Sequence, residues 1–201
     1  MFGGVIQKAA TGFVLRTMSL SANGRPIAPD PHSVIHDGRM FSIDTTKPGL
    51  DFEVPANGTF DLLIVAGENN WPHFEFAYRF GAMGTLVVYE FEPDHIPTGG
   101  EDIPAENKKW DSPQEFKGYA RRWIHTQGEK TAFVNNAIWK EGCIILGSDH
   151  PQRPVGSPGE FSDELIVPEH HGLLIRLENR TSSTPDACIC GRVYNAPKIE
   201  S

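Results

Sequence analysis

The chain has 201 residues, with 18 basic and 26 acidic side chains and a net charge of −8. That length predicts one or two domains, and a chain of this size buries roughly 70% of its unfolded surface without staples. Hydrophobic residues at 39% and aromatics at 10% supply a core, and charged residues at 22% exclude global disorder. The acidic balance argues against sequence-wide attraction to nucleic acid or an anionic membrane. Twenty Gly and 16 Pro are too many for a helical bundle and suit a loop-rich β protein. No apolar stretch reaches the ~18 residues of a membrane span.

The chain begins with an arm, residues 1–31. Residues 1–29 hold Lys8, Arg16 and Arg25 but no acid, and they lack the continuous apolar run of a secretory signal. Val5, Ile6, Ala9, Ala10, Phe13 and Val14 recur at a spacing that could form a helical face, which Thr11 and Gly12 weaken. The segment reads instead as an arm that orders against a partner or the body of the domain. Asn23-Gly24, Pro26, Pro29 and Pro31 punctuate its end, and a single domain is expected over 32–201.

Strand signals follow. Arg39–Asp44 is short and half apolar; Phe60–Ala66 is a nearly continuous apolar run behind the turn Pro55-Ala56-Asn57-Gly58. In His73–Arg79, Phe74, Phe76 and Tyr78 alternate with His73, Glu75, Ala77 and Arg79. After Gly81–Gly84, residues Gly84–Glu92 alternate again, and the two runs read as a hairpin. Glu164–Val167, Gly172–Asn179 and Ala187–Tyr194 complete the series. About eight strands at regular spacing predict an all-β fold, an antiparallel sandwich or jelly roll.

Residues 93–141 interrupt the pattern as a long insertion. Ser112-Pro113-Gln114-Glu115 has the form of a capping box with Pro at the first helical position. Phe116, Tyr119, Ala120, Trp123 and Ile124 follow at helical spacing, with Gly128 as a stop. An amphipathic helix over 113–127 is the expectation, with Lys117, Arg121, Arg122 and His125 on its polar face.

Catalytic patterns do not emerge. A metal-binding jelly roll of the cupin kind needs two His two apart on a strand, but His73 is followed by Glu75, His170 and His171 are adjacent, and His36 stands alone. Ser148-Asp149-His150 brings triad residue types side by side, where triad geometry is unattainable. There is no G-x-S-x-G elbow, phosphate loop or H-E-x-x-H. Acidic pairs such as Glu101/Asp102 and Asp163/Glu164 read as solvated. Cys143, Cys188 and Cys190 read as reduced thiols in the core, the sharper reading of Cys188 and Cys190 being a C-x-C half-site for a metal. Asn57-Gly-Thr and Asn179-Arg-Thr match the glycosylation acceptor by chance. The expectation is a non-enzymatic protein with no catalytic residue, metal or cofactor.

Pro31-His32-Ser33-Val34-Ile35-His36-Asp37-Gly38-Arg39-Met40-Phe41 is a histidine-rich stretch with an acidic-Gly pair and an aromatic before the first strand. It resembles the opening of a family of tailed-bacteriophage head proteins, the capsid decoration or cement proteins. HFEFAYRFGAMGTLVVYE, residues 73–90, resembles its central hairpin, and ELIVPEHHGLLIRLENRTSSTPDACICGRVY, residues 164–194, its ending. Asn107-Lys108-Lys109 falls where the family has an Asn/Arg-rich loop. The likeness runs from His32 to Tyr194; this chain departs from it in its arm, in the 113–127 segment and in a last strand without Trp.

The resemblance implies a structural virion protein on the outer capsid surface, resident in the host cytoplasm before assembly. Its partners would be the major capsid protein and itself, as a homotrimer or dimer, with no nucleic acid or membrane. Candidate interface residues are Phe2, Val5, Ile6, Phe13 and Val14 in the arm, and Asn107, Lys108, Lys109, Trp110, Arg121 and Arg122 in the insertion. The alternatives are another virion module, a carbohydrate-binding sandwich with a row of exposed Trp, or a cupin-like metalloenzyme.

Overall fold

The computed structural model describes residues 3–9, 12–18, 35–46, 53–145, 159–160 and 165–196. A hairpin comes first: β1 (Gly3–Ala9) pairs antiparallel with β2 (Gly12–Met18) as a sheet of its own. The helical option for the arm is therefore replaced by strands.

Two antiparallel sheets make the body. One runs β10 (Ile138–Ile145), β6 (Gly84–Phe91), β13 (Gly172–Asn179), β4 (Thr59–Ala66), β9 (Gly118–His125), β7 (Glu101–Ile103). The other runs β11 (Gly159–Glu160), β5 (His73–Phe80), β14 (Ala187–Tyr194), β3 (Met40–Asp44), β8 (Ala105–Asn107), with β12 (Leu165–Ile166) also on β5. Pairing is nested: β3 with β14, β4 with β13, β5 with β12 and β11, β6 with β10. The chain is one long hairpin folded over on itself, which is the connectivity of a jelly roll. The predicted all-β sandwich is the observed fold, and the expected strand limits agree to within one or two residues.

The apolar faces of the two sheets meet in one core. Phe60, Leu62 and Ile64 of β4, Leu86 and Val88 of β6, and Ile175 and Leu177 of β13 come from one side; Phe74, Phe76 and Phe80 of β5, Ile189 and Val193 of β14, and Phe41 and Ile43 of β3 come from the other. The expected hairpin of β5 and β6 is not formed, because these strands lie in opposite sheets. Alternation only demands that each strand bury one face. Here the two faces bury against each other across the core, and the Gly81 turn is a corner, held by the Gly81 N–H to the Asp186 carbonyl at 3.0 Å.

The helix expected over 113–127 is absent. Residues 113–117 are irregular and Gly118–His125 is strand β9, registered along β4 from Ala66 to Thr59. Two facts mimic a helix in the sequence. Ala120 and Ile124 face the inner core, while Trp123 packs on the sheet's outer side, so both faces carry apolar residues. The Ser112 hydroxyl accepts from the Gln114 N–H at 3.2 Å, two residues on, in a local turn rather than a helix cap. Gly118 fixes the alternative, since a Cβ there would lie 2.1 Å from the Val65 carbonyl oxygen.

The six-stranded sheet is also covered on its outer side. Leu63, Val65, Leu174 and Phe91 are buried there beneath Ile96, Trp123, Phe133 and Val134, the last two in and after a single helical turn, Lys130–Phe133. Inside this layer Arg176 donates to both oxygens of Asp61, at 2.8 and 2.7 Å, and to the Lys130 carbonyl at 2.8 Å. Asp61 is 0% and Arg176 1% exposed. His125 Nε2 lies 3.5 Å from the same carboxylate, and burial holds this imidazole below its ordinary pKa, hence neutral at pH 7.

Gly118→Ala should therefore cost about 1–3 kcal/mol in urea unfolding, by forcing β9 off β4. Arg176→Met should cost about 3–5 kcal/mol, by stranding the Asp61 carboxylate, and adding Asp61→Leu should restore most of that loss.

Candidate functional site

The insertion 93–137 leaves β6, crosses from one sheet to the other through β7, Pro104 and β8, and returns as β9. Much of its backbone lies outside regular ladders, and side-chain amides satisfy it. Asn195 donates to the Glu115 carbonyl at 3.0 Å and accepts from the Lys117 N–H at 3.1 Å. Asn70 donates to the Lys117 carbonyl at 2.7 Å and to the Asn195 side chain at 3.1 Å. Both amides are buried, Asn70 with 1% and Asn195 with 8% of its surface exposed.

Asn107 does the same for the turn beyond β8. Its Nδ2 donates to the Gly38 and Gln114 carbonyls at 2.8 and 2.9 Å, and its Oδ1 accepts from the Lys109 N–H at 2.9 Å. Gln114 donates to the Asp37 carbonyl at 2.9 Å, and the Lys108 N–H to the Met40 carbonyl at 2.9 Å. The Ser112 N–H closes the turn on the Lys109 carbonyl at 3.0 Å. Gly38, at φ +69°, lies under it, where a Cβ would meet the Ser112 hydroxyl at 2.2 Å. Trp110 stands on this braced turn with 99% of its surface exposed.

Beside the turn is an open groove of about 750 Å³ between the sheet edges. Phe41, Phe116 and Ala105 give it an apolar floor, and Asn107, Tyr119 and Arg121 a polar wall. Arg121 is held by Asp102 at 2.8 Å and lies over the Tyr119 ring, 4.8 Å from its centroid. That hydrogen bond raises the Arg121 pKa further, so the guanidinium stays charged.

The structure thus brings together Asn107, Lys108, Lys109, Trp110 and Arg121 of the residues expected to form an interface. Arg122 is separate: only 4% exposed, it points inward, pairs with Glu101 and lies over Phe60. Val5, Ile6, Phe13 and Val14 lie in the β1–β2 hairpin, whose register sets Ile6 opposite Leu15 and Val5 opposite Arg16. Phe2 lies outside the described residues.

The other sequence candidates are placed apart. His73 bonds the Tyr194 hydroxyl at 2.8 Å, and His171 bonds Glu90 at 2.6 Å. Among the described residues no group of three His, Cys, Asp or Glu side chains is placed to hold a metal ion, and the interior where a cupin metal would sit is filled by Phe41, Phe60, Phe74 and Phe80, each at most 1% exposed. Ser148-Asp149-His150 lies outside the described residues. Cys188 and Cys190 are not core thiols; they are half-buried on the outer side of β14, where Cys190 donates to Asp44 at 3.4 Å. The neighbouring Cys190 thiol lowers the Cys188 pKa to about 7. The Asn179 amide is buried and donates to the Pro55 and Ser183 carbonyls at 2.9 and 2.7 Å, which occupies the would-be glycosylation nitrogen. Among the described residues no helix is long and apolar enough to cross a membrane.

Sequence reasoning missed the bracing amides Asn70, Gln114 and Asn195 and the wall residues Asp102 and Tyr119. It also missed β10, within or beside what was read as a loop, where Ile138, Trp139 and Ile144 are 44%, 62% and 68% exposed. The short apolar run Cys143-Ile144-Ile145 was the available signal, since 138–141 shows no alternation.

No family model, curated protein or solved structure matches the chain.

Asn107→Ala should leave the sandwich folded and release the Trp110 turn. The expected readout is faster amide exchange over 108–112 with the midpoint of thermal unfolding shifted by only a few degrees, as for loss of about 1 kcal/mol of loop hydrogen bonding.

Proposed function

We propose that this protein is a non-enzymatic binding module that decorates and stabilises a bacteriophage capsid by bridging major capsid subunits. The observation that carries the reading is Trp110, a fully exposed indole on a turn whose base is already hydrogen-bonded. Tryptophan is the residue type most enriched among binding hot spots. A braced turn gives up little conformational entropy on docking. Lys108 and Lys109 precede the ring and Asp111 follows it, a mixed-charge setting that gives register rather than raw affinity.

A second support is the placement of apolar surface. Trp110 and the groove lie on the β7–β8 side of the sandwich, and the exposed residues of β10 lie on the opposite edge of the six-stranded sheet. Two adhesive surfaces on opposite sides suit a subunit that joins more than one neighbour. The same separation disfavours a carbohydrate platform, which needs its aromatics in one row, whereas Trp110 and Trp139 sit at opposite edges. The β-sandwich and the resemblance of its strand segments to head decoration proteins favour a virion surface over other scaffolds.

Co-sedimentation with heads of the encoding phage, prepared without this protein, tests the reading. Saturable binding at a fixed ratio to the major capsid protein is expected, and Trp110→Ala should weaken it at least about tenfold. Failure to pellet at micromolar concentration would overturn the proposal.

A further inference from the structure

Two unmet needs in the structure fit each other. The β1–β2 hairpin is a two-stranded sheet, and among the described residues its strands pair only with one another. Such a hairpin is marginal in water unless a further strand or an apolar surface supports it. At the other extreme, β10 is an eight-residue edge strand that, among the described residues, pairs on one side only, with β6. Its backbone groups on the free side form a template for another strand. It also exposes Trp139 and Ile144, at 62% and 68%, which an ordinary solvated edge would replace with charge.

We propose that the N-terminal hairpin of one copy of this chain adds to the β10 edge of a second copy, joining subunits by strand exchange. Charge does not oppose this occupant: the hairpin carries Lys8 and Arg16 and no acid, and β10 holds one Lys and one Glu, Lys140 and Glu141. Length permits it as well. Sixteen residues, 19–34, separate the hairpin from the turn at Ile35 that packs on Met40 and Tyr194, with Pro26, Pro29 and Pro31 among them, and at roughly 3.1 Å per residue when extended they reach about 50 Å. The contact is heterologous, one surface giving the hairpin and a different one the edge. It closes as a reciprocal dimer or a cyclic trimer. It does not involve Trp110, so its failure would leave the capsid reading standing.

Light scattering behind size exclusion, on full-length chains, tests the exchange. The wild type should show two or three times the 22.2 kDa chain mass. Leu15→Pro, which breaks β2, should reduce it to one chain while the far-ultraviolet β signal persists. Trp139→Lys with Ile144→Lys, which blocks the edge, should do the same. Mixing these two monomeric variants should restore a species of exactly one of each, because one retains the edge and the other the hairpin. A monomeric wild type, oligomers that survive either variant, or a mixture that stays monomeric would each overturn the proposal. Cys143, exposed on β10, gives a readout independent of mass: its alkylation should be at least fivefold slower in the wild type than in Leu15→Pro, and equal rates would also overturn the proposal.

Discussion

Three amide side chains, Asn70, Asn107 and Asn195, carry the part of this molecule that departs from a plain sandwich. A chain that leaves one sheet, crosses to the other and returns must satisfy its peptide groups along the way, because each buried unpaired group costs about 1–3 kcal/mol. Ladders cannot do this across the crossing. A carboxamide can, since one side chain both donates and accepts. Asn70 and Asn195 fix the approach to β9 by gripping Glu115 and Lys117, and Asn107 fixes the turn that bears Trp110. The exposed ring is thus the visible end of a buried polar scaffold.

The same insertion makes the sandwich unequal. Its later residues fold over the outer side of the six-stranded sheet, where Phe133 and Trp123 seal the Asp61–Arg176 pair from water. The outer side of the other sheet carries Glu75 and Arg192 in direct register, both exposed, and among the described residues it buries a small cluster at one end, Met40 and Tyr194 beneath Ile35 and Ala196. One face is therefore a second small core and the other a largely charged surface with one apolar corner. Association is left to the edges and to the turn.

The strands of the sandwich were legible because alternation and apolar runs report burial directly; Gly172–Asn179 and Ala187–Tyr194 were read at their observed limits. What failed was information held between strands. His73–Arg79 and Gly84–Glu92 each showed one apolar face, but the pattern is the same whether two such strands lie side by side or face each other across a core. Segment 113–127 failed for a related reason. With Ala120 and Ile124 buried on one side of β9 and Trp123 on the other, a strand covered on both faces produces the spacing of an amphipathic helix. Gly118, whose missing side chain admits the Val65 carbonyl, was the residue at odds with that helix. The Trp110 turn was legible as a candidate contact from its Lys-Lys-Trp composition, whereas Arg122 was not separable from Arg121 until the strand assigned them to opposite faces.

The register of β3 on β14 has a mechanical consequence. Met40 at the start of β3 pairs with Tyr194 at the end of β14, so both exits from the sandwich lie at one end of the same ladder. Force applied through the chain ends would open that ladder one bond at a time, like a zip. Force applied across the six-stranded sheet, from β10 toward β9, meets ladders of seven or eight registered pairs, whose bonds share the load. Tension between the two tails together would therefore open the β3–β14 ladder in sequence, whereas a pull on one tail alone does not load it that way.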